Sequence, residues 1–364
     1  MEHIIFHNDV DGIISASLFL HYNAQEKKFN YFTSCLHPVN STMRGETLKK
    51  ILEKIPINEE LAIFDFEFNK RATIWADHHY SPDFGPDQIM TDNIWYDPSA
   101  KSLVQILTKK FGDHFPDLSA MANMIDSASF PSPQFIFESD HPLMILRAYI
   151  ETTFPSDMTY SRIVENIALN KCDVGYAIKK MGITYQEVKN IKNIALKIMK
   201  NILKFGDCSI IHQTRQGQFP RYSEFLMIPD IKYAIRISLS GPHHKYIQMG
   251  YNQWCGKQNT INIGEFFRNL SYGRGGGHFS VGACLIKNED ENKFLDDVDC
   301  YFNKTKTNSA EGADNMEKYG VDKEDNVEKR AIELVKTGMD IDEARKQSQK
   351  EQEAKSNAGD KIKL

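Results

Sequence analysis

The chain has 364 residues, with 44 Lys and Arg against 49 Asp and Glu and a net charge of -5. That balance excludes a protein that coats long duplex DNA through a broad basic face, although bound metals or a local cation cluster can still reverse the field inside a cleft. No stretch approaches the roughly 20 apolar residues that span a bilayer, the start does not read as a signal peptide, and the six scattered cysteines form no CxxC pair, which excludes a disulfide framework and fits a reducing cytosol.

In chain order, His3 to Phe6 reads as a strand and Ile13 to Tyr22 as the helix after it. A helical pattern at Thr47 to Lys54 precedes two strands, Leu61 to Phe66 and Thr73 to Ala76. Helices follow at Ser102 to Phe111 and Leu118 to Ile125. Strands separated by helices predict βαβ units and a mostly parallel sheet, with ligands gathering beyond the carboxyl ends of its strands. From Ser161 to Phe205 apolar residues recur at three- and four-residue steps, which predicts helices broken at Gly182. Ser209 to His212, Tyr233 to Ser238 and Tyr246 to Tyr251 then read as strands, followed by a helix at Ile263 to Leu270 and a glycine-rich turn at Gly273 to Gly277.

The expected organisation is therefore an α/β chain of four parts. Residues 1–158 form a catalytic parallel-sheet domain, 159–205 a helical connector, 206–303 a smaller α/β domain, and 304–364 a charged tail with one aromatic, Tyr319.

The chemistry-bearing residues cluster in the first half. His7-Asn8-Asp9-Val10-Asp11-Gly12 sits between a strand and a helix, and an extended segment would aim His7, Asp9 and Asp11 into one cavity. Neighbouring carboxylates repel unless a cation lies between them. The plainer reading is an Asp-rich loop that caps the next helix. Asp65 closes an apolar run, Asp77-His78-His79 follows another, and Asp126 ends a helical stretch. Each alone reads equally well as a turn or surface residue. Together, carboxylates and imidazoles at the ends of several elements converge on one edge of a parallel sheet, a ligand set suited to Mn, Fe, Co or Zn.

In this order and rough spacing the residues resemble the DHH phosphoesterase family. His7 to Gly12 matches its first motif, Asp65 its second, Asp77-His78-His79 its third and Asp126 its fourth. Gly275-Gly276-Gly277-His278 resembles the GGGH motif of the DHH-associated C-terminal domain. The likeness covers roughly residues 3 to 290 and leaves the tail unexplained. It implies an active site in the cleft between the two domains, with one metal on His7, Asp9 and Asp65. The other would sit on Asp11, Asp65, His78 and Asp126, so that Asp65 bridges. The implied metals are two Mn2+ ions, with Mg2+ or Co2+ as alternatives. His79 would stabilise the transition-state oxygens, with Asp77 as an orienting partner. Gly275 to Gly277, His278 and Arg274 would hold the terminal nucleotide.

Two departures stand out. The first motif has the short spacing of RecJ-type exonucleases. The strand before the GGGH motif reads Met249-Gly250-Tyr251-Asn252-Gln253-Trp254, without the arginine that many relatives carry there, so Asn252, Arg274 or a lysine must take its place. Tyr251, Trp254, Phe266, Phe267 and Tyr272 are candidates for base stacking, against the plainer reading of core aromatics.

The activity implied is hydrolysis of short single-stranded oligonucleotides or linear dinucleotides to mononucleotides. A homodimer is compatible with it, and neither a membrane nor long duplex DNA is an expected partner. The alternatives are an exopolyphosphatase, a cyclic-dinucleotide phosphodiesterase, or a non-catalytic nucleotide-binding module that kept the fold.

Overall fold

The computed structural model describes residues 2–25, 34–39, 46–79, 81, 83–85, 87–112, 115–197, 202–214, 219–277 and 279–303. The chain divides into two compact units, Met1–Lys192 and Asn193–Leu364. His278 and the tail from 304 lie outside the described residues.

The first unit is built on a six-stranded sheet of order β2-β1-β3-β4-β6-β5. β1 (Glu2–His7) pairs in parallel with β2 (Ser34–Val39) and β3 (Glu60–Phe64). β4 (Ile74–Asp77) and β6 (Ile94–Tyr96) continue the parallel run, and β5 (Ile89–Met90) is antiparallel at the edge. Both faces are covered, as a parallel sheet requires. Ile4, Phe6, Ala62 and Phe64 face the cluster that includes Val104 and Ile163, whereas Ile5, Leu61, Ile63 and Trp75 pack against Leu48 and Leu52 of α2 (Glu46–Lys54). The alternation along β1 and β3 comes directly from the two-residue period of a strand. α1 (Val10–Gln25), α3 (Leu103–Phe111), α4 (Pro116–Asp126), α5 (Pro133–Glu138) and α6 (Pro142–Thr153) supply most of the remaining helices of this unit.

The chain leaves β1, forms β2 on one side of it and returns to place β3 on the other. Such a reversal of strand order opens a crevice beyond the carboxyl ends of β1 and β3. β2 was not anticipated. Ser34-Cys35-Leu36-His37-Pro38-Val39 lacks a clear alternation, and Pro38 is tolerated because the strand lies at the sheet edge.

Within the stretch expected as a helical connector, α7 (Asp157–Leu169) and α8 (Val174–Lys180) are built into the first unit's core through Ile163, Val164, Ile167, Ala177 and Ile178. The break at Gly182 is present, with φ +78 between α8 and α9 (Gln186–Lys197). The end of the stretch departs from expectation. Ile202–Phe205 is a strand, β7, because its residues pair with Cys208 to Ile211 in a hairpin. Ile198, taken as part of the helical pattern, lies outside the described residues.

The second unit holds another six-stranded sheet, ordered β11-β12-β10-β9-β8-β7. Its remaining strands are β8 (Cys208–Gln213), β9 (Tyr233–Leu239), β10 (His244–Tyr251), β11 (Gly273–Gly277) and β12 (Val281–Lys287). All neighbours are antiparallel except β8 and β9. One face carries Tyr233, Ile235, Ile237, Ile247 and Met249 against Phe266 and Phe267 of α11 (Ile263–Arg268) and Phe294 and Val298 of α12 (Glu291–Asn303). On the other face Ala234 packs against Phe225 of α10 (Ser223–Met227). The expected glycine-rich turn is instead β11, an edge strand paired with β12, since glycine imposes no turn where its backbone groups find a ladder partner. Among the described residues no helix is long and apolar enough to cross a membrane.

Candidate metal centre

His7 is the last residue of β1, and α1 begins at Val10. The His7-to-Asp11 segment is therefore not extended throughout, as alternation had suggested, and Asp11 lies in the first turn of α1. Asp9 caps that helix, its Oδ1 accepting from the Gly12 amide at 3.0 Å. The same carboxylate keeps its Oδ2 for His7, 2.6 Å from Nδ1. Capping and clustering are thus both true of Asp9. Gly12 is required by close approach: a Cβ there would lie 2.1 Å from the His7 carbonyl oxygen.

Asp65 follows β3 directly and adopts φ +54, a left-handed conformation that a non-glycine residue takes only when its surroundings hold it there. This turns its carboxylate into the crevice between the other ligands. Oδ2 stands 3.4 Å from His7 Nδ1, and Oδ1 stands 3.6 Å from His78 Nε2 and 3.4 Å from His79 Nδ1. Both oxygens are buried without a hydrogen-bond partner, and so is His78 Nε2.

His78 and His79 follow the end of β4 with their ring centroids 4.3 Å apart. His78 Nδ1 donates to the Ala100 carbonyl at 3.3 Å, which fixes the tautomer and frees Nε2 as a ligand atom. That Nε2 lies 3.2 Å from Asp126 Oδ2, at the end of α4, and 3.6 Å from Asp11 Oδ2. Asp77 Oδ1 accepts from the amides of His78 and His79, at 2.7 and 3.0 Å, and from His79 Nδ1 at 2.9 Å. Asp77 thus orients the ring of His79 rather than that of His78. The half-exposed His79 keeps Nε2 for whatever enters the crevice.

Among the described residues three overlapping groups could hold a metal: His7, Asp9 and Asp65; Asp11, His78 and Asp126; and Asp65, Asp77, His78 and His79. Within each, the ligand atoms lie within 4.8 Å of one another. The electrostatics fit a cation. Burial, reinforced by Asp9, raises the Asp65 carboxyl, and burial with Asp65 and Asp126 raises Asp11. Burial alone would lower His7, but Asp9 and Asp65 outweigh it and push the imidazole to about 11. His78 rises to about 10, burial again being outweighed by Asp126, Asp11 and Asp65. Without a cation, buried carboxylates must hold protons or be paired with imidazolium. Divalent ions would take the place of those protons and engage the partnerless oxygens of Asp65. The donor set and the orphaned atoms fit two such ions.

The residues expected to bind substrate lie in the second unit and behave differently. Asn252, just after β10, is fully buried. Its Nδ2 donates to the carbonyls of Pro229 and Ile231 at 2.9 and 2.8 Å, and its Oδ1 accepts from the Trp254 amide at 3.1 Å. These bonds engage both amide hydrogens and the oxygen of the residue expected to bind substrate, in shaping the chain after β10. Gly275 and Gly277 are needed for the hairpin itself. A Cβ on Gly275 would lie 2.3 Å from Cys284 Cβ, and Gly277 takes φ +146 with the Val281 carbonyl 2.4 Å from its would-be Cβ. Gly276 is under less pressure, its nearest contact being the Arg268 side chain at 3.4 Å. Arg274 is exposed on β11. Phe266 and Phe267 are core, Trp254 packs with Phe225, and Tyr272 donates to Asp297 at 2.5 Å. His278 lies outside the described residues.

Sequence reasoning missed the segment that supports the first unit's ligands. The amides of Leu103 and Val104, at the start of α3, donate to Asp11 Oδ2 and Oδ1 at 2.7 and 3.0 Å. A helix over Ser102 to Phe111 was legible, but the approach of its first amides to Asp11 depends on the tertiary fold.

No known family profile matches the sequence, and no curated protein matches it. The structure is similar to a pGpG-specific phosphodiesterase, PggH from Vibrio cholerae, with a TM-score of 0.59 at 15% identity, covering 84% of this chain and 99% of that one. It also resembles the exonuclease RecJ bound to manganese (TM-score 0.47, 12% identity, 82% of this chain and 89% of that one). RecJ from Thermus thermophilus in complex with Mn2+ gives a TM-score of 0.48 at 11% identity, over 83% of this chain and 52% of that one. The fold is that of the pGpG phosphodiesterase, as the resemblance to DHH proteins had implied.

Proposed function

We propose that this chain is a DHH-type, metal-dependent phosphoesterase that hydrolyses short single-stranded oligonucleotides or linear dinucleotides to mononucleotides. The observation that carries this reading is Asp65: a buried carboxylate with two partnerless oxygens, one toward His7 and the other toward His78. The groups that face its charge are the imidazoles of His7, His78 and His79, at 3.4 to 3.6 Å. In this reading His7, Asp9 and Asp65 hold one divalent ion, Asp11, Asp65, His78 and Asp126 hold the second, and Asp65 is shared. When bound, such a pair activates water and neutralises charge on the phosphoryl oxygens.

The chain's own residues then have separable tasks. Asp77 fixes the His79 ring through Nδ1, and the Nε2 of His79 donates to a phosphoryl oxygen as charge builds there. The carbonyl of Ala100 keeps His78 in the tautomer that presents Nε2. Arg274, exposed and basic, is the described residue of β11 best suited to a phosphate. Mn2+ is the preferred metal, because the site combines several carboxylates with few imidazoles. All six cysteines are free, which supports a reducing cytoplasm as the location.

Among the substrates proposed, a linear dinucleotide comes first, because the fold is shared over nearly the whole length of a pGpG-specific enzyme. The test is hydrolysis of pGpG, pApA, a five-nucleotide RNA, a five-nucleotide DNA, cyclic di-AMP and polyphosphate, each with Mn2+ and with EDTA. Mn2+-dependent release of mononucleotides from the linear substrates, abolished by EDTA, is the expected result. Turnover of polyphosphate or cyclic di-AMP alone would replace the substrate class. Nucleotide binding with neither bound metal nor turnover would identify a non-catalytic binding module.

A further inference from the structure

His78, Asp11 and Asp126 come from three separate elements, yet one short segment touches the supports of all three. Asp97 starts it at the end of β6, its amide donating to the Asp77 carbonyl at 3.3 Å and its Oδ1 accepting from the Ser99 amide at 3.0 Å. Ala100 then offers its carbonyl to His78 Nδ1. Leu103 and Val104 offer their amides to Asp11. Between them Ser102, fully buried, is the N-cap of α3, accepting from the Gln105 amide at 3.2 Å. Its hydroxyl hydrogen goes elsewhere, to Asn123 Oδ1 at 2.6 Å. Asn123 lies on α4 one turn before Asp126.

We infer that Ser102 is a positioning residue for the ligand group of Asp11, His78 and Asp126, setting the separation between the α3 amides that hold Asp11 and the helix that carries Asp126. The inference rests on the metal-centre reading of the previous section. The physical argument is one of geometry. A cap alone needs only the acceptor lone pair of a Ser, Thr, Asp or Asn. Here the donor is used as well, and it joins the start of α3 to the last turn of α4, where an unpartnered Asn123 oxygen would have to find another donor. The described hydrogen bonds of the Ser102 hydroxyl run to Gln105 of α3 and Asn123 of α4, so it acts through those two helices. The group of His7, Asp9 and Asp65 has no bond to this segment among those described, and its Asp9 side chain is 42% exposed. Loosening Ser102 therefore weakens one metal site and spares the other.

The experiment is Mn2+ titration by calorimetry on the full chain, comparing the parent with Ser102→Ala, Ser102→Thr and Asn123→Ala. The folded fraction is checked by circular dichroism at the titration temperature. The parent is expected to bind two Mn2+ ions. Ser102→Ala should lower the affinity of one site about tenfold, the scale of losing a support behind a metal ligand, with the other site unchanged. Ser102→Thr, which keeps both the cap and the donor, should restore it. Asn123→Ala removes the link without touching the cap, so it remains informative if Ser102→Ala does not fold, and it should weaken the same site. Two parent-like sites in Asn123→Ala and in any folded Ser102→Ala would refute the positioning role and leave the metal centre standing. A uniform loss at both sites would also refute it. A parent that binds no Mn2+ would overturn both readings.

Discussion

Asp65 and Asn252 each follow the last residue of a strand, β3 in the first unit and β10 in the second, and both are buried. Asn252 uses both amide hydrogens and its oxygen on three backbone groups of its own unit. Asp65 has no hydrogen-bond partner for either oxygen, although three imidazoles stand 3.4 to 3.6 Å from it. Buried polar groups are ordinarily satisfied, and an exception calls for an explanation such as an ion, a water or a catalytic role. The pair shows how a polar residue at a strand end divides between architecture and chemistry. The structural one is saturated, and the chemical one is left with capacity that only a ligand can fill.

The largest effect should come from filling or removing that capacity. Asp65→Asn is expected to lower hydrolysis at least about 1,000-fold, the scale of losing a group that stabilises charge in the transition state. Asn tolerates the left-handed backbone that Asp65 adopts, and it removes the carboxylate that faces the imidazoles of His7, His78 and His79. Circular dichroism at the assay temperature should show the variant folded. Activity retained in Asp65→Asn would place this residue on the architectural side with Asn252.

A second contrast concerns pH. In the metal-free chain His7 and His78 hold protons up to about 11 and about 10, so near neutrality both must release them for a metal to bind. His7 and His78 belong to different sites, so one imidazole proton is displaced at each, and the apparent Mn2+ affinity of each site rises about tenfold between pH 6 and pH 7. Calorimetry in buffers of different ionisation enthalpy counts those protons directly. The sign for stability follows from the same shifts. Imidazoles raised above the ordinary 6.5 stabilise the metal-free fold fully below that value, and the contribution is lost as pH climbs through their folded values. The raised Asp65 carboxyl acts in the same direction, stabilising the metal-free fold at low pH and losing that contribution as pH rises. Metal-free protein should thus lose stability with rising pH where Mn2+-loaded protein does not. No proton release would mean that the imidazoles are not ligands.

The first unit was readable because strand, helix and polar residue follow one another there in local order. The apolar period of His3 to Phe6, and the acids that close Leu61 to Phe64 and Ile74 to Ala76, locate the carboxyl edge of the sheet without further information. What stayed hidden depends on contacts between distant segments. Nothing at Ser102 announces that α3 will meet Asp11, more than ninety residues earlier. Local pattern also misled where glycine was involved. The run Gly273 to Gly277 reads as a turn by composition, but pairing with β12 makes it a strand, and the Cys284 side chain explains Gly275. Asn252 was singled out because an arginine was missing from its vicinity, a reason that says nothing of what would surround the residue once folded.

Asn252→Ala should give the smallest change in chemistry and a definite one in stability. Two buried carbonyls and one amide lose their partner, which costs about 1–3 kcal/mol in unfolding free energy, since orphaned buried groups bear the full desolvation penalty. Measured at a temperature where the variant is folded, kcat and KM should match the parent, because no Asn252 atom is left to contact substrate. Chemical denaturation and steady-state kinetics on the same preparation separate the two quantities. If KM rose while the unfolding midpoint stayed in place, Asn252 would be exchanging its backbone partners for substrate. The division between a saturated second-unit residue and an unsaturated first-unit one would then have to be redrawn, with β10 contributing to recognition after all.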